Sequence, residues 1–169
     1  EVGLGMVALS VGWVIGTDPL ATVVITQETA TETLIAVLQG IAATVPLLVA
    51  LYVVNRVPLT SIKQIREFVS THLVPLFKPL TLFELSAISI AAGFGEEVLF
   101  RGLVQARIAE SVGGTYGIVV GVVVASLIFG LCHWITPAYA VLATIAGVYF
   151  GVLFLLTGNL LAPLVAHAL

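Results

Sequence analysis

Uncharged apolar runs separated by short polar breaks organise this chain. Val2 to Thr17 carries no charge and stops at Asp18-Pro19. Residues 18–33 hold Asp18, Glu28 and Glu32 and no base, so they read as an acidic loop. Leu34 to Val54 supplies 21 uncharged residues, the length of a membrane-crossing helix, with Pro46 as an expected kink. Residues 55–80 form the longest polar stretch, where Arg56, Lys63, Arg66 and Lys78 face one acid, Glu67. Ile62, Ile65, Phe68 and Val69 recur there at helical spacing, so part of the segment is expected to lie along the membrane interface. Apolar runs resume from Leu82 to about Gln105, from Ser111 to Cys132, from Pro137 to Gly158-Asn159, and from Leu160 to Leu169. The pattern predicts an all-α, polytopic transmembrane bundle of about six spans. It is expected to be a single membrane-embedded domain over 1–169, cut at both ends: the sequence opens on Glu1 and stops inside an apolar stretch.

Composition sharpens this picture. Hydrophobic residues make up 60% of the chain and charged residues 9%, against roughly 25% charged in a soluble domain. Mean hydropathy is +1.19. Six Lys and Arg against nine Asp and Glu give a net charge of −3. That leaves no basic patch for phosphates, and nucleic acid is excluded as a partner. One cysteine, Cys132, allows no internal disulfide. The excess of bases in 55–80 places that segment on the cytoplasmic side and the acidic loop on the other.

Ionisable residues inside apolar spans are costly, about 2.5–3.5 kcal/mol each on insertion scales, so their positions carry the functional signal. Glu96, Glu97, Arg101, His133 and His167 are such residues. On a helix Glu97 and Arg101, four apart, share a face and pair in the favourable order. Glu96 is five from Arg101 and points about 140° away, so its partners must come from other spans, and His133 and His167 have the right chemistry. A carboxylate held among apolar residues suits general-base work. Gly93 and Gly95 allow close backbone approach or a local break before the acids. Phe129, four before His133, can pack over the imidazole. The bland readings assign Glu97–Arg101 to a helix-end ion pair, His133 beside Trp134 to an interfacial anchor, and His72, Arg107 and Glu110 to solvated loops.

The residues, in order, resemble a known family. Glu96, Glu97 and Arg101 read E-E-x-x-x-R, and Phe129 to His133 reads F-x-x-x-H. Ala162 to Leu169, with His167, looks like the start of a third motif, H-x-x-x-N/D, whose last residue falls at position 171. Together these resemble the type II CAAX-processing endopeptidases, the CPBP or ABI intramembrane proteases, which include prenyl-protein proteases and bacteriocin-immunity proteins. The resemblance covers about residues 80–169. It implies a membrane endopeptidase cutting a peptide bond near the end of a membrane-associated peptide or protein, prenylated ones included. Carried over, Glu96 activates water, His133 assists and His167 stabilises the oxyanion, with Glu97, Arg101 and Phe129 supporting the site. Glu96, His133 and His167 could equally form a two-His, one-Glu zinc site. The absence of H-E-x-x-H favours the metal-free form. The alternatives are a catalytically silent membrane binding or immunity protein and, more remotely, a proton-coupled transporter.

A depth estimate sets one condition. With spans starting at Leu82 and Gly117, Glu96 and His133 lie about 21 and 24 Å in from opposite sides. In a core about 30 Å thick they would sit about 15 Å apart. The third span is therefore expected to be tilted or broken near Gly93–Gly95.

Overall fold

The computed structural model describes residues 2–23 and 28–169, so positions 24–27 of the expected acidic loop lie outside it. The described residues are helical and contain no strand. The first helix, α1, spans Val2–Ile15. It is followed by α2 (Ala30–Arg56), which passes through Pro46 without interruption. The 55–80 segment is more ordered than its polarity suggests. It forms α3 (Thr60–Phe68), a π-helical turn π1 (Val69–Leu73) and α4 (Val74–Phe77). On α3, Ile62 is buried while Lys63 and Glu67 are exposed.

The chain then turns by 117° into a continuous helix from Leu82 to Val112. Thr81 and Glu84 open it with a reciprocal capping box, the Thr81 N–H donating to Glu84 at 2.8 Å and the Glu84 N–H to Thr81 at 3.3 Å. Such caps satisfy amides that the helix leaves open. This long helix comprises α5 (Leu82–Glu97), a π-helix π2 (Val98–Gln105) and α6 (Ala106–Val112). Three helices complete the chain: α7 (Gly114–Cys132), α8 (Pro137–Thr157) and α9 (Leu161–Ala168). Thr136 caps α8 by accepting the Tyr139 N–H at 3.1 Å, with Pro137 in the first turn.

Among the described residues, α2, α7 and α8 are each long and apolar enough to cross a membrane; the bent pair of helices, taken as one span, makes a fourth. At 14 and 8 residues, α1 and α9 are shorter than the roughly 20 of a full crossing. The helices meet through small residues. A Cβ on Gly40 would stand 2.6 Å from the Ala162 carbonyl, and one on Gly147 3.1 Å from the Ser126 Cα. Small residues at helix crossings let backbones approach in a setting where apolar surface alone gives no driving force between helices.

Of the tilt or break expected near Gly93–Gly95, the break does not occur: the chain is regular α-helix through both glycines. They serve close approach instead. A Cβ on Gly93 would meet the Leu164 carbonyl of α9 at 3.1 Å, and the Gly95 Cα lies 3.6 Å from where a Cβ on Gly5 of α1 would stand. The departure from α geometry begins at Val98, just after the two acids, and the Ala106 N–H reaches back five residues to the Arg101 carbonyl. π turns insert an extra residue, re-aim the helix faces on either side, and recur at functional sites.

The depth problem is solved by the hairpin joining α6 to α7. Gly113 and Gly114 turn the chain with φ of 76° and 60°, values that glycine adopts without steric cost. Beyond the turn, a Cβ on Gly117 would meet the Ala109 carbonyl at 2.5 Å and one on Gly121 the Gln105 carbonyl at 2.7 Å. This register runs the two helices antiparallel from a shared end. Glu96 lies 17 residues before Gly113 and His133 lies 20 after it. Their mismatch is three residues, about 4.5 Å along the axis, not 15 Å. The figure of about 15 Å counts each span's depth from its own start, Leu82 or Gly117, across a core about 30 Å thick, whereas the third helix continues to Val112 and shares its end with the fourth.

Candidate active site

Four elements bring the six sequence-selected residues together. Glu96 and Glu97 close α5, Arg101 lies in π2, Phe129 in the last turn of α7 with His133 just after it, and His167 in the last turn of α9. The two adjacent acids point into different surroundings.

Glu97 is fully buried. Its Oε1 accepts from Arg101 Nη1 at 2.8 Å and from His167 Nδ1 at 2.8 Å. Arg101, 1% exposed, also donates through Nη2 to the Gly147 carbonyl at 2.9 Å. Its guanidinium carbon lies 4.8 Å from the Phe129 ring centre and 5.3 Å from that of Phe150, within the range of cation–π attraction. Each ring also braces a histidine. Phe129 stacks on His133 with centroids 4.4 Å apart, and Phe150 lies parallel to His167 at 4.8 Å and 4°. The ion pair at i and i+4 expected between Glu97 and Arg101 is thus present, and it extends to a histidine 70 residues away.

Glu96 faces the imidazoles. Its Oε2 stands 3.7 Å from His133 Nε2 and 3.8 Å from His167 Nε2. The other nitrogen of each ring is engaged elsewhere. His133 Nδ1 lies 2.8 Å from the Phe129 carbonyl, and His167 Nδ1 lies on the Glu97 carboxylate. A carbonyl and an arginine-bound carboxylate only accept, so both Nδ1 atoms are the donors, and a neutral ring then turns the lone pair of Nε2 towards Glu96. Spacings of 3.7–3.8 Å exceed direct hydrogen-bond distance and suit a bridging water. Placed among the three groups, a water can donate one hydrogen to Glu96 and the other to an Nε2, with an oxygen lone pair left facing outward.

The site opens on a cavity of about 560 Å³ lined by Phe129, His133, Tyr139, Phe150 and His167, with apolar walls from α2, α3 and α8. The donor set of Glu96, His133 and His167 is chemically right for zinc. Glu96 Oε2 stands 3.7 and 3.8 Å from the two Nε2 atoms, a few tenths more than the roughly 3.3–3.6 Å between tetrahedral ligands at about 2.0–2.2 Å from one ion, and no cluster of three or more His, Cys, Asp or Glu among the described residues is arranged to hold a metal.

Phe150, Gly147 and Tyr139 are not evident as site residues from the sequence. Phe150 and Gly147 sit in the uncharged α8 run among Ala140, Ala143 and Gly151. Their spacing of three and four residues marks a helix-packing face, and nothing local says which neighbour it meets. His72, Arg107 and Glu110 are apart from the site. His72 stacks on Phe68, and Arg107 pairs with Glu110 at 3.0 Å on the surface.

A buried carboxylate–imidazole cluster thus lies among apolar helices long enough to cross a membrane and opens to a cavity. A family model described as type II CAAX prenyl endopeptidase, Rce1-like, matches residues 78–169 and contains all six of these residues. The chain belongs to the Rce1-like type II CAAX prenyl endopeptidase family, whose members are membrane proteases. No curated protein and no solved structure matches it.

Proposed function

We propose that this protein is an intramembrane endopeptidase that cuts near the C-terminus of a lipidated peptide or protein with a water activated by Glu96. The observation that carries this reading is the convergence of Glu96 Oε2 and two Nε2 atoms, at 3.7 and 3.8 Å, beside an open cavity. Glu96 takes a proton from the water as its oxygen attacks the scissile carbonyl carbon. The negative charge that develops on the carbonyl oxygen is met by an Nε2–H of His167 in its doubly protonated form, while His133, with its Nε2 lone pair, accepts from the water. Glu97 accepts the Nδ1–H of His167 and orients the ring, as a buried carboxylate does for histidine in hydrolytic triads. Glu96 then returns its proton to the leaving nitrogen as the C–N bond breaks. The products are a new carboxylate on the lipidated fragment and a free amine on the released peptide. By its charge, segment 55–80 lies on the cytoplasmic side, where such tails reside.

A zinc-dependent form is the second reading, supported by the two Nε2 lone pairs facing one carboxylate. There Glu96, His133 and His167 would hold the ion, which would polarise the water and the carbonyl. The test is cleavage of a farnesylated peptide with a CAAX ending, by the protein in liposomes, followed by mass spectrometry with and without a zinc chelator. Release of the terminal peptide, unaffected by chelation, is expected. Loss on chelation with recovery on added zinc favours the metal form. Binding of the peptide without cleavage favours a silent family member.

A further inference from the structure

The cavity beside the imidazoles holds a group that the hydrolytic chemistry leaves unused. Among the described residues that line it, Arg66 alone carries a permanent charge. The walls around it are apolar, with Leu51 and Val54 from α2, Ile62 from α3 and Leu142 from α8. Arg66, exposed on α3, is tethered at one point: Nη1 donates to the Asn55 carbonyl in the last turn of α2 at 2.6 Å. A guanidinium has five N–H donors, so this bond leaves most of the fork available. Among the described residues Arg66 forms no ion pair, and its neighbour Glu67 is engaged by Lys63 at 3.6 Å. A cation anchored by a backbone carbonyl, with its remaining donors beside an apolar cavity, suits a planar, singly charged anion bound by two parallel hydrogen bonds.

We propose that Arg66 binds the free C-terminal carboxylate of the substrate and so sets how far from the chain end the bond is cut. This rests on the endopeptidase reading and extends it from the reacting bond to the far end of the leaving peptide. Three extended residues span about 10 Å, and a cavity of about 560 Å³ falls within the roughly 300–1,000 Å³ that enclose small ligands. The apolar walls take the side chains, the imidazoles face the scissile bond, and Arg66 closes the measure. A substrate lacking the carboxylate, or carrying it further away, loses this contact. Arg66 is thereby a specificity residue, separate from the atoms that break the bond.

The test uses Glu96→Gln protein in nanodiscs of zwitterionic lipid. The probe is a fluorescent farnesylated peptide with a CAAX ending, made as the free acid and as the C-terminal amide. Binding of the free acid is expected to be about 10- to 100-fold tighter than that of the amide, the range for a charge-assisted contact. Adding Arg66→Gln should bring the ratio to near one, while Arg66→Lys should retain part of it. In the otherwise wild-type protein, Arg66→Gln should raise KM for the free acid and leave kcat within about twofold. A ratio near one in the Arg66-containing protein, a ratio that survives Arg66→Gln, or no binding of either peptide overturns the proposal. So does a ratio near one combined with peptide binding that requires anionic phosphatidylglycerol and loses that requirement in Arg66→Gln, because Arg66 then serves a lipid headgroup. Binding is read without turnover. A wild-type protein that shows the ratio but cleaves nothing therefore contradicts the protease reading and leaves the Arg66 assignment standing.

Discussion

The two halves of the site, one behind Glu97 and one in front of Glu96, are built from neighbouring residues and follow opposite rules. Behind Glu97 the contacts are short and buried: two 2.8 Å bonds to one carboxylate oxygen, a guanidinium 1% exposed, and two phenyl rings around it. In front of Glu96 the spacings open to 3.7 and 3.8 Å, and the side chains are 10% to 27% exposed. The closed half holds positions and the open half leaves room for a water and a substrate. Two carboxylates placed in contrasting surroundings are a recurring way to divide structural and proton-transfer duties. His167 joins the halves, with Nδ1 in the closed one and Nε2 in the open one.

The largest expected effect lies in the open half. Glu96→Gln keeps the shape and removes the proposed base, so turnover should fall by about 10²- to 10⁴-fold. Peptide-cleavage rates in liposomes check this, and equal rates would dissolve the contrast.

Next comes the closed half. Arg101→Ala leaves Glu97 as a buried charge without its cation, a change that typically costs about 3–5 kcal/mol. The expected outcome is a large drop in Tm, measured by thermal unfolding in nanodiscs. Replacing the pair together, Glu97→Leu with Arg101→Met, should recover most of the stability, since apolar substitutes for a buried pair are often neutral. Turnover should stay low in that double variant because His167 loses its Nδ1 acceptor. Recovery of both would mean that Glu97 does not orient His167.

His167→Ala probes the junction. It should lower kcat by about 10²- to 10³-fold, the scale for losing an oxyanion donor, with a smaller change in Tm than Arg101→Ala. The smallest effect belongs to the frame. A Cβ on Gly130 would stand 2.7 Å from the Ala140 carbonyl, so Gly130→Ala should separate α7 from α8 and cost about 1–3 kcal/mol, again read as Tm.

Much of this contrast is legible in the sequence, for a physical reason. Charged groups in apolar runs are expensive, so Glu96, Glu97, Arg101, His133 and His167 stand out wherever the chain places them. Spacing alone also separates Glu97, which shares a face with Arg101, from Glu96, which does not. The apolar runs locate the helices to within a few residues, from Pro137 at the start of α8 to Thr157 before Gly158. What spacing does not contain is the register between helices. The 15 Å mismatch between Glu96 and His133 disappears once α6 is carried to the Gly113–Gly114 turn, because a hairpin fixes depth from the turn and not from each helix's own start. The bond from His167 to Glu97, the Gly147 carbonyl and the Phe150 ring depend on α8 and α9 packing against α5 and π2, and such long-range contacts have no local signature. The π-helix after Glu97 is also hidden, since Val98 to Gln105 reads as ordinary helix.

The central claim is that Glu96 performs the chemistry and Glu97 holds the site. Side-by-side measurement of kcat and Tm for Glu96→Gln and Glu97→Gln in the same nanodiscs tests it most directly. The account predicts that Glu96→Gln loses turnover and keeps its Tm, while Glu97→Gln loses several degrees of Tm and retains the faster residual turnover. The reverse order, with Glu97→Gln stable and inactive and Glu96→Gln active, would contradict it.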